Sequence, residues 1–174
     1  MSAYSFLRRS DFMYPYNIRK PDKSDSVGRL IMSADAATVA EMLIDAINDE
    51  ARDHEKYLAV SEVIEEPEDA EIIRSIAFDE YKHKRIFEEI YKILTGKMPP
   101  VPVQAKNAKV TAENLSEVLT DSFFGELEGV EMYRELMFAF DNTDIRDMIF
   151  EVITDEQAHA DILNYIMGKM RKSE

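Results

Sequence analysis

The sequence predicts an all-α fold: an antiparallel four-helix bundle built from two repeated helical hairpins, with a long crossover between them and an N-terminal arm. Three observations predict this fold. Glycine (5) and proline (6) are scarce among the 174 residues, which leaves long stretches free to be helical. Four long segments carry apolar residues at every third or fourth position, the spacing of an amphipathic helix. Many residues of the first two segments recur 76 positions later in the other two.

Residues 1–33 differ in composition from the rest of the chain. The stretch Phe12–Tyr16 is rich in aromatic residues, and Arg19, Lys20 and Lys23 follow it without a helical period. We predict an extended arm that packs on the domain or on a partner subunit, with a frayed terminus as the alternative. The bundle is predicted over residues 34–174.

The first hairpin is predicted over residues 34–96. Its first helix runs from about Ala34 to Glu65, with Ser33 as the N-cap. Its second helix starts at Pro67, a favoured first helical residue, and ends near Gly96, a favoured C-terminal cap. The turn between the two helices is short, so they should be antiparallel.

The second hairpin is predicted over residues 110–170. Its first helix begins after Thr111 and its second begins near Thr143, with the tight turn Asp141–Thr143 between them. The preceding segment, Gly96–Val110, contains three prolines and cannot be helical through its first half. A connection of this length suits a crossover along the outside of the bundle.

Composition and charge exclude several classes of function. Thirty-five acidic residues against 21 basic residues give a net charge of -14, which repels nucleic acids and anionic membranes and attracts cations. No apolar run approaches the roughly 20 residues that cross a bilayer, and no secretory signal is visible, so a cytoplasmic location is expected. The absence of cysteine excludes disulfides, Cys-ligated zinc, iron–sulfur clusters and thiol catalysis.

Each apolar stripe is interrupted by a carboxylate, and two stripes also contain an imidazole three residues later. All four carboxylates are predicted to lie roughly 20 Å from a hairpin turn, at one level of the bundle. Burying them unpaired would be costly, whereas two divalent cations would neutralise them and two imidazoles would complete the coordination. Oxygen-rich ligation with one nitrogen per metal favours iron or manganese. The predicted ligands are Glu50, Glu80, His83, Glu126, Glu156 and His159.

The internal repeat supports this interpretation. The pairs Glu50–Glu126, Glu80–Glu156 and His83–His159 are each 76 positions apart, and so are Tyr57–Tyr133 and Asp79–Asp155. The two hairpins therefore look like duplicated halves, each of which contributes half of a pseudo-symmetric site.

The order and spacing of these residues resemble the ferritin-like diiron carboxylate proteins, specifically the erythrin domain of rubrerythrins, over about residues 34–170. The resemblance implies two iron ions per chain, with manganese or a mixed pair as alternatives, and a homodimer. It also implies that Glu80 and Glu156 bridge the metals and that the other four ligands are terminal. Tyr57 and Tyr133 would hydrogen-bond ligand carboxylates; the alternative for each is an ordinary core aromatic residue.

The sequence departs from the rubrerythrin pattern in two respects. Without cysteines it lacks a rubredoxin domain, so electrons would come from an external, rubredoxin-like donor protein. Gly129 replaces a further glutamate of rubrerythrins, and the repeat-related Asp53 is either an extra ligand or a surface aspartate. His54 either reaches the edge of the site or, as we favour, is partly exposed and binds no metal.

The predicted function is a di-iron oxidoreductase, with a role in oxidative stress, that reduces hydrogen peroxide or dioxygen or oxidises Fe(II). One alternative is a protein that binds metal without turnover, for delivery, sensing or structure. Another is a bundle scaffold that recruits a partner through the aromatic arm, Tyr4–Tyr16.

Overall fold

The computed structural model describes residues 35–102 and 109–173 and confirms the predicted all-α four-helix bundle. The predicted N-terminal arm lies outside the described residues. No β-strand occurs among the residues that are described. The four helices are α1 (Ala36–Val63), α2 (Pro67–Thr95), α3 (Leu115–Phe138) and α4 (Thr143–Ser173).

The ends of the first hairpin follow from local capping chemistry. Asp35 is the N-cap of α1, and its carboxylate accepts hydrogen bonds from the backbone of Ala37 (2.9 Å) and Thr38 (3.0 Å). The predicted cap, Ser33, lies outside the described residues. Pro67 begins α2 as predicted, and Gly96 ends it in the left-handed conformation (φ 71°) that glycine adopts most easily.

The third helix begins a few residues later than predicted. Thr111 donates its backbone N–H to the Asn114 side chain (2.8 Å) and accepts the Asn114 backbone N–H (3.2 Å). These bonds close a turn over residues 112–114, so regular helix starts only at Leu115.

Two apolar core clusters define the direction of each helix. One cluster combines the start of α1 (Val39), the end of α2 (Leu94), the end of α3 (Leu136) and the start of α4 (Ile145). The other combines the end of α1, the start of α2, the start of α3 and the end of α4. The helices therefore run up, down, down and up, and the crossover connects opposite ends of the bundle.

The packing of the hairpins follows from this arrangement. The close pairs are α1 with α2 and α3 with α4, and the hairpins meet through α1–α3 and α2–α4 contacts. Each helix is thus antiparallel to both of its main neighbours. Among the described residues, none of the helices combines the length and apolar character that crossing a membrane requires.

Candidate metal centre

The six predicted ligands lie together between the two apolar clusters. All are buried, with at most 5% of any residue exposed. The two hairpin turns lie at opposite ends of the bundle, and the carboxylates still meet because a distance of roughly 20 Å from either turn reaches the middle of these long helices. The six residues are Glu50, Glu80, His83, Glu126, Glu156 and His159.

Their donor atoms form two overlapping groups, each able to hold a metal ion. One group consists of Glu50, Glu80, His83 and Glu156, and the other consists of Glu80, Glu126, Glu156 and His159. In each group, one ligand atom from every residue lies within 4.8 Å of all the others. Glu80 and Glu156 belong to both groups, so the geometry provides two adjacent positions that share two carboxylates.

Both imidazoles face the carboxylates through Nδ1. His83 Nδ1 lies 3.0 Å from Glu156 Oε1, 3.4 Å from Glu80 Oε2 and 3.6 Å from Glu50 Oε2. His159 Nδ1 lies 3.1 Å from Glu80 Oε1 and 3.3 Å from Glu126 Oε2. Each nitrogen is therefore surrounded by oxygens from both hairpins.

Several of these buried atoms have no hydrogen-bond partner in the described part of the chain. They include His83 Nδ1, Glu50 Oε2, Glu80 Oε1 and Glu156 Oε1. His83 Nδ1 and Glu156 Oε1 are close but not aligned to bond each other. Unsatisfied buried polar atoms are costly, and lone pairs that converge on one volume suit a cation. The residues therefore fit a metal pair.

The electrostatics of the metal-free site lead to the same conclusion. Burial raises the pKa values of Glu50 and Glu156 well above their usual range, and the charge of Glu80 raises them further. Burial also acts against ionised Glu80, but the adjacent His159 imidazolium holds the pKa of Glu80 well below its usual range. Without cations, the central layer, which consists of these six buried Glu and His side chains, therefore remains partly protonated.

Two tyrosines hold the carboxylates that belong to only one group. The Tyr57 hydroxyl on α1 donates to Glu126 on α3, and the Tyr133 hydroxyl on α3 donates to Glu50 on α1. Burial raises the pKa of both tyrosines, and the carboxylate that each contacts raises it further, so both remain proton donors. Each of these two hydrogen bonds therefore connects one hairpin to the other.

Two aspartates next to the site were not singled out as functional residues by the sequence analysis. His83 Nε2 lies 3.2 Å from Asp155 Oδ2, and His159 Nε2 lies 3.5 Å from Asp79 Oδ2. A carboxylate on the outer nitrogen fixes the tautomer and orientation of a ligating imidazole. Their place in the 76-residue repeat, each directly before a shared glutamate, was the signal that could have identified them.

The other residues that the sequence analysis named belong to neither donor group among the described residues. Asp53 is in neither group among the described residues; its carboxylate lies 3.1 Å from Lys56 Nζ. His54 is half-buried, with Nδ1 2.6 Å from the carbonyl oxygen of Ala77. Gly129 packs against Glu156, a member of both donor groups, because a Cβ added at Gly129 would lie 3.2 Å from Glu156 Oε2.

The helix order and the buried Glu/His layer define the class of ferritin-like four-helix bundles. The sequence model of the Rubrerythrin family matches residues 41–116 and 117–174, so the chain belongs to the rubrerythrin family. The two matched segments begin at positions related by the internal repeat.

A solved structure supports the fold independently. A hypothetical protein from Pyrococcus furiosus superposes with a TM-score of 0.70 at 17% sequence identity, over 78% of this chain and 92% of that chain. At this identity the likeness concerns the fold alone. No curated protein matches the chain.

Proposed function

We propose that the chain binds two iron ions in its central layer and acts as an oxidoreductase toward hydrogen peroxide or dioxygen. The observation that supports this most directly is the pair of overlapping donor groups that share Glu80 and Glu156. In this proposal Glu50 and His83 complete one position, and Glu126 and His159 complete the other. The rubrerythrin match makes iron the preferred metal, with manganese as the alternative.

The chain's own residues would bind, orient and shield the reacting centre. An Fe(II) pair, when bound, supplies the two electrons that reduce hydrogen peroxide to water. Asp155 orients the His83 imidazole, and the tyrosines hold the carboxyl groups of Glu126 and Glu50 in place. The two apolar clusters above and below the layer limit access of bulk water.

We propose that re-reduction uses an external electron-donor protein in the cytoplasm. The 174 residues contain no cysteine, so they cannot hold a thiolate-ligated iron of the rubredoxin type. Oxidation of Fe(II) for sequestration is a variant of the same proposal, since it uses the same two positions with iron as the substrate.

Anaerobic Fe(II) titration of the metal-free chain tests the proposal. We expect saturation at two iron ions per chain, lost in the Glu80→Ala/Glu156→Ala double variant, because each position loses two ligands. The matched control is Glu128→Ala/Glu135→Ala, which removes two exposed carboxylates of α3. Equal iron binding by the two double variants would contradict the proposed centre.

The reaction is then tested by mixing the Fe(II)-loaded chain with hydrogen peroxide or with dioxygen and following iron oxidation. Faster oxidation of the bound iron by peroxide supports a peroxidase. Faster oxidation by dioxygen supports the variant in which Fe(II) is the substrate and is oxidised for sequestration. Two tightly held ions that react slowly with both oxidants would instead support a metal-binding protein without turnover.

A further inference from the structure

Lys82 breaks the two-fold repeat at the edge of the metal centre. It directly precedes His83 on α2, and its ammonium lies 2.8 Å from Asp155 Oδ2 and 3.2 Å from Glu151 Oε1, both on α4. Its distance to Asp79 Oδ1 is 3.7 Å. The repeat-equivalent position on α4 is Ala158, so no second lysine occupies the corresponding place.

The two imidazoles are consequently held differently. Asp155 accepts a hydrogen bond from Lys82 and also contacts His83 Nε2 at 3.2 Å. On the other side, Asp79 is more exposed (43% of its side chain, against 22% for Asp155), and His159 Nε2 has no hydrogen-bond partner in the described residues. Lys82 and His83 Nε2 therefore both lie within hydrogen-bond distance of Asp155. Asp79 forms only longer contacts, at 3.7 Å from the same ammonium and 3.5 Å from His159 Nε2, so the outer nitrogen of His159 is held less firmly.

We propose that Lys82 is a positioning residue that anchors Asp155 and thereby preorganises the position of His83, which makes the two metal positions unequal. The inference rests on the proposed metal centre. Removing a carboxylate that orients a ligating histidine typically weakens metal binding by about 10–100-fold. A hydrogen bond that anchors this carboxylate keeps the histidine correctly oriented before the metal binds.

The direction in which metal affinity changes when Lys82 is replaced distinguishes a positioning role from simple charge repulsion. A lysine charge near the site repels a divalent cation, so removing it as a charge alone would tighten binding at both positions. Loss of positioning weakens binding at the His83 position only. Lys82→Met removes the charge and the anchor together, and the two explanations then predict opposite changes at that position.

Mn(II) binding, measured by electron paramagnetic resonance of the free ion, tests the inference without any turnover. The His159→Ala background reports the His83 position, and His83→Ala reports the other. We expect Lys82→Met to weaken binding about tenfold in the first background and not to weaken it in the second. Lys82→Arg, which retains charge and donors, should restore binding.

Lys92→Met is the matched control, because Lys92 is on the same helix and also pairs with an acid three residues earlier, at 3.6 Å from Glu89. Thermal unfolding of the metal-free variants checks that each has folded. Unchanged or tighter binding at the His83 position in Lys82→Met would overturn the inference while leaving the metal centre intact. Failure of the native chain to bind either Mn(II) or Fe(II) would overturn the metal centre and this inference together.

Discussion

Gly129 lies on the helical face of α3 that touches Glu156, whereas Gly125, one turn earlier, has no atom within 4 Å of an added Cβ. Alanine at either position should favour the helix by about 1 kcal/mol relative to glycine. Only at Gly129 must the Glu156 carboxylate also move, because the new Cβ would approach Oε2 to 3.2 Å. The two glycines thus separate helix propensity from site geometry.

We therefore predict that Gly129→Ala weakens iron binding and that Gly125→Ala does not. Gly125→Ala should also raise the free energy of unfolding by up to about 1 kcal/mol, and Gly129→Ala by less. Iron titration and urea unfolding of the two metal-free variants provide the measurements. Equal iron affinity in both variants would show that Glu156 has room to adjust.

The tyrosine–carboxylate bonds give a second prediction at the residue scale. Tyr57→Phe and Tyr133→Phe each remove the donor that reaches a buried carboxylate, Glu126 or Glu50. Loss of one such bond should lower the free energy of unfolding of the metal-free chain by about 1–3 kcal/mol. Tyr81→Phe, at a half-exposed ring, is the control and should change it little. Urea unfolding at one fixed pH makes the comparison, and three equal values would contradict it.

At the scale of a single helix, local residues determine most boundaries. Pro67 and Gly96 mark the ends of α2 in the sequence as well as in the structure, because each has a backbone preference that fits one end of a helix. The start of α1 is less defined in sequence, since both Ser33 and Asp35 are good N-caps. The start of α3 depends on the side-chain turn at Asn114, which competes with the helix for the same backbone groups.

The Asp35 cap of α1 predicts that the folding stability of the chain depends on pH. Hydrogen bonds from the Thr38 backbone and side chain and from the Ala37 backbone lower the pKa of Asp35, so the folded chain releases this proton more readily than the unfolded chain. The stabilisation is complete above the ordinary aspartate pKa of about 4 and is lost as the pH falls through the lowered value.

Asparagine caps a helix without titrating, so Asp35→Asn is the matched variant. The stability advantage of the native chain over this variant should shrink as the pH falls below about 4. Asp35→Ala should be less stable than both around neutral pH. Urea unfolding over a pH series measures the differences, and a constant gap between native chain and Asp35→Asn would contradict the assigned cap.

At the scale of the whole molecule, the 76-residue repeat and the two tight turns were sufficient to predict two hairpins and the six clustered side chains. They were not sufficient to predict which helices become neighbours across the hairpins. The bonds from Tyr57 to Glu126 and from Tyr133 to Glu50 depend on α1 packing against α3, and the contact of Lys82 with Asp155 depends on α2 packing against α4. Such contacts are set by the up, down, down, up arrangement and have no signature within one helix.

The central layer also makes the stability of the whole bundle depend on metal and pH. Glu50 and Glu156 keep their protons to a higher pH in the folded chain than in the unfolded chain, because burial raises their pKa values and the charge of Glu80 adds to this. The folded chain then binds more protons, and the metal-free bundle loses stability as the pH rises above the ordinary glutamate value of about 4.3.

The two histidines also make the metal-free bundle less stable as the pH rises, but over a higher pH range. Burial opposes their protonation, but Asp155 at His83 and Glu80 at His159 raise the imidazole pKa values well above the usual range. Their contribution is complete below about pH 6.5 and is lost as the pH rises through the raised values. The lowered pKa of Glu80 has the opposite effect, but that contribution is already complete above the ordinary glutamate value.

We therefore predict that the melting temperature of the metal-free chain falls between pH 5 and pH 8, whereas that of the iron-loaded chain, kept anaerobic, falls less or rises. The reason is that metal binding replaces the protons and becomes stronger as they leave. Glu50→Gln/Glu156→Gln should flatten the metal-free profile and raise its value at pH 8, because it removes the two carboxyl groups that ionise unfavourably. Glu128→Gln/Glu135→Gln, at exposed positions, should retain the native slope. A metal-free melting temperature that is independent of pH, or that the buried and exposed double variants change equally, would show that the carboxylate layer does not limit the stability of the bundle.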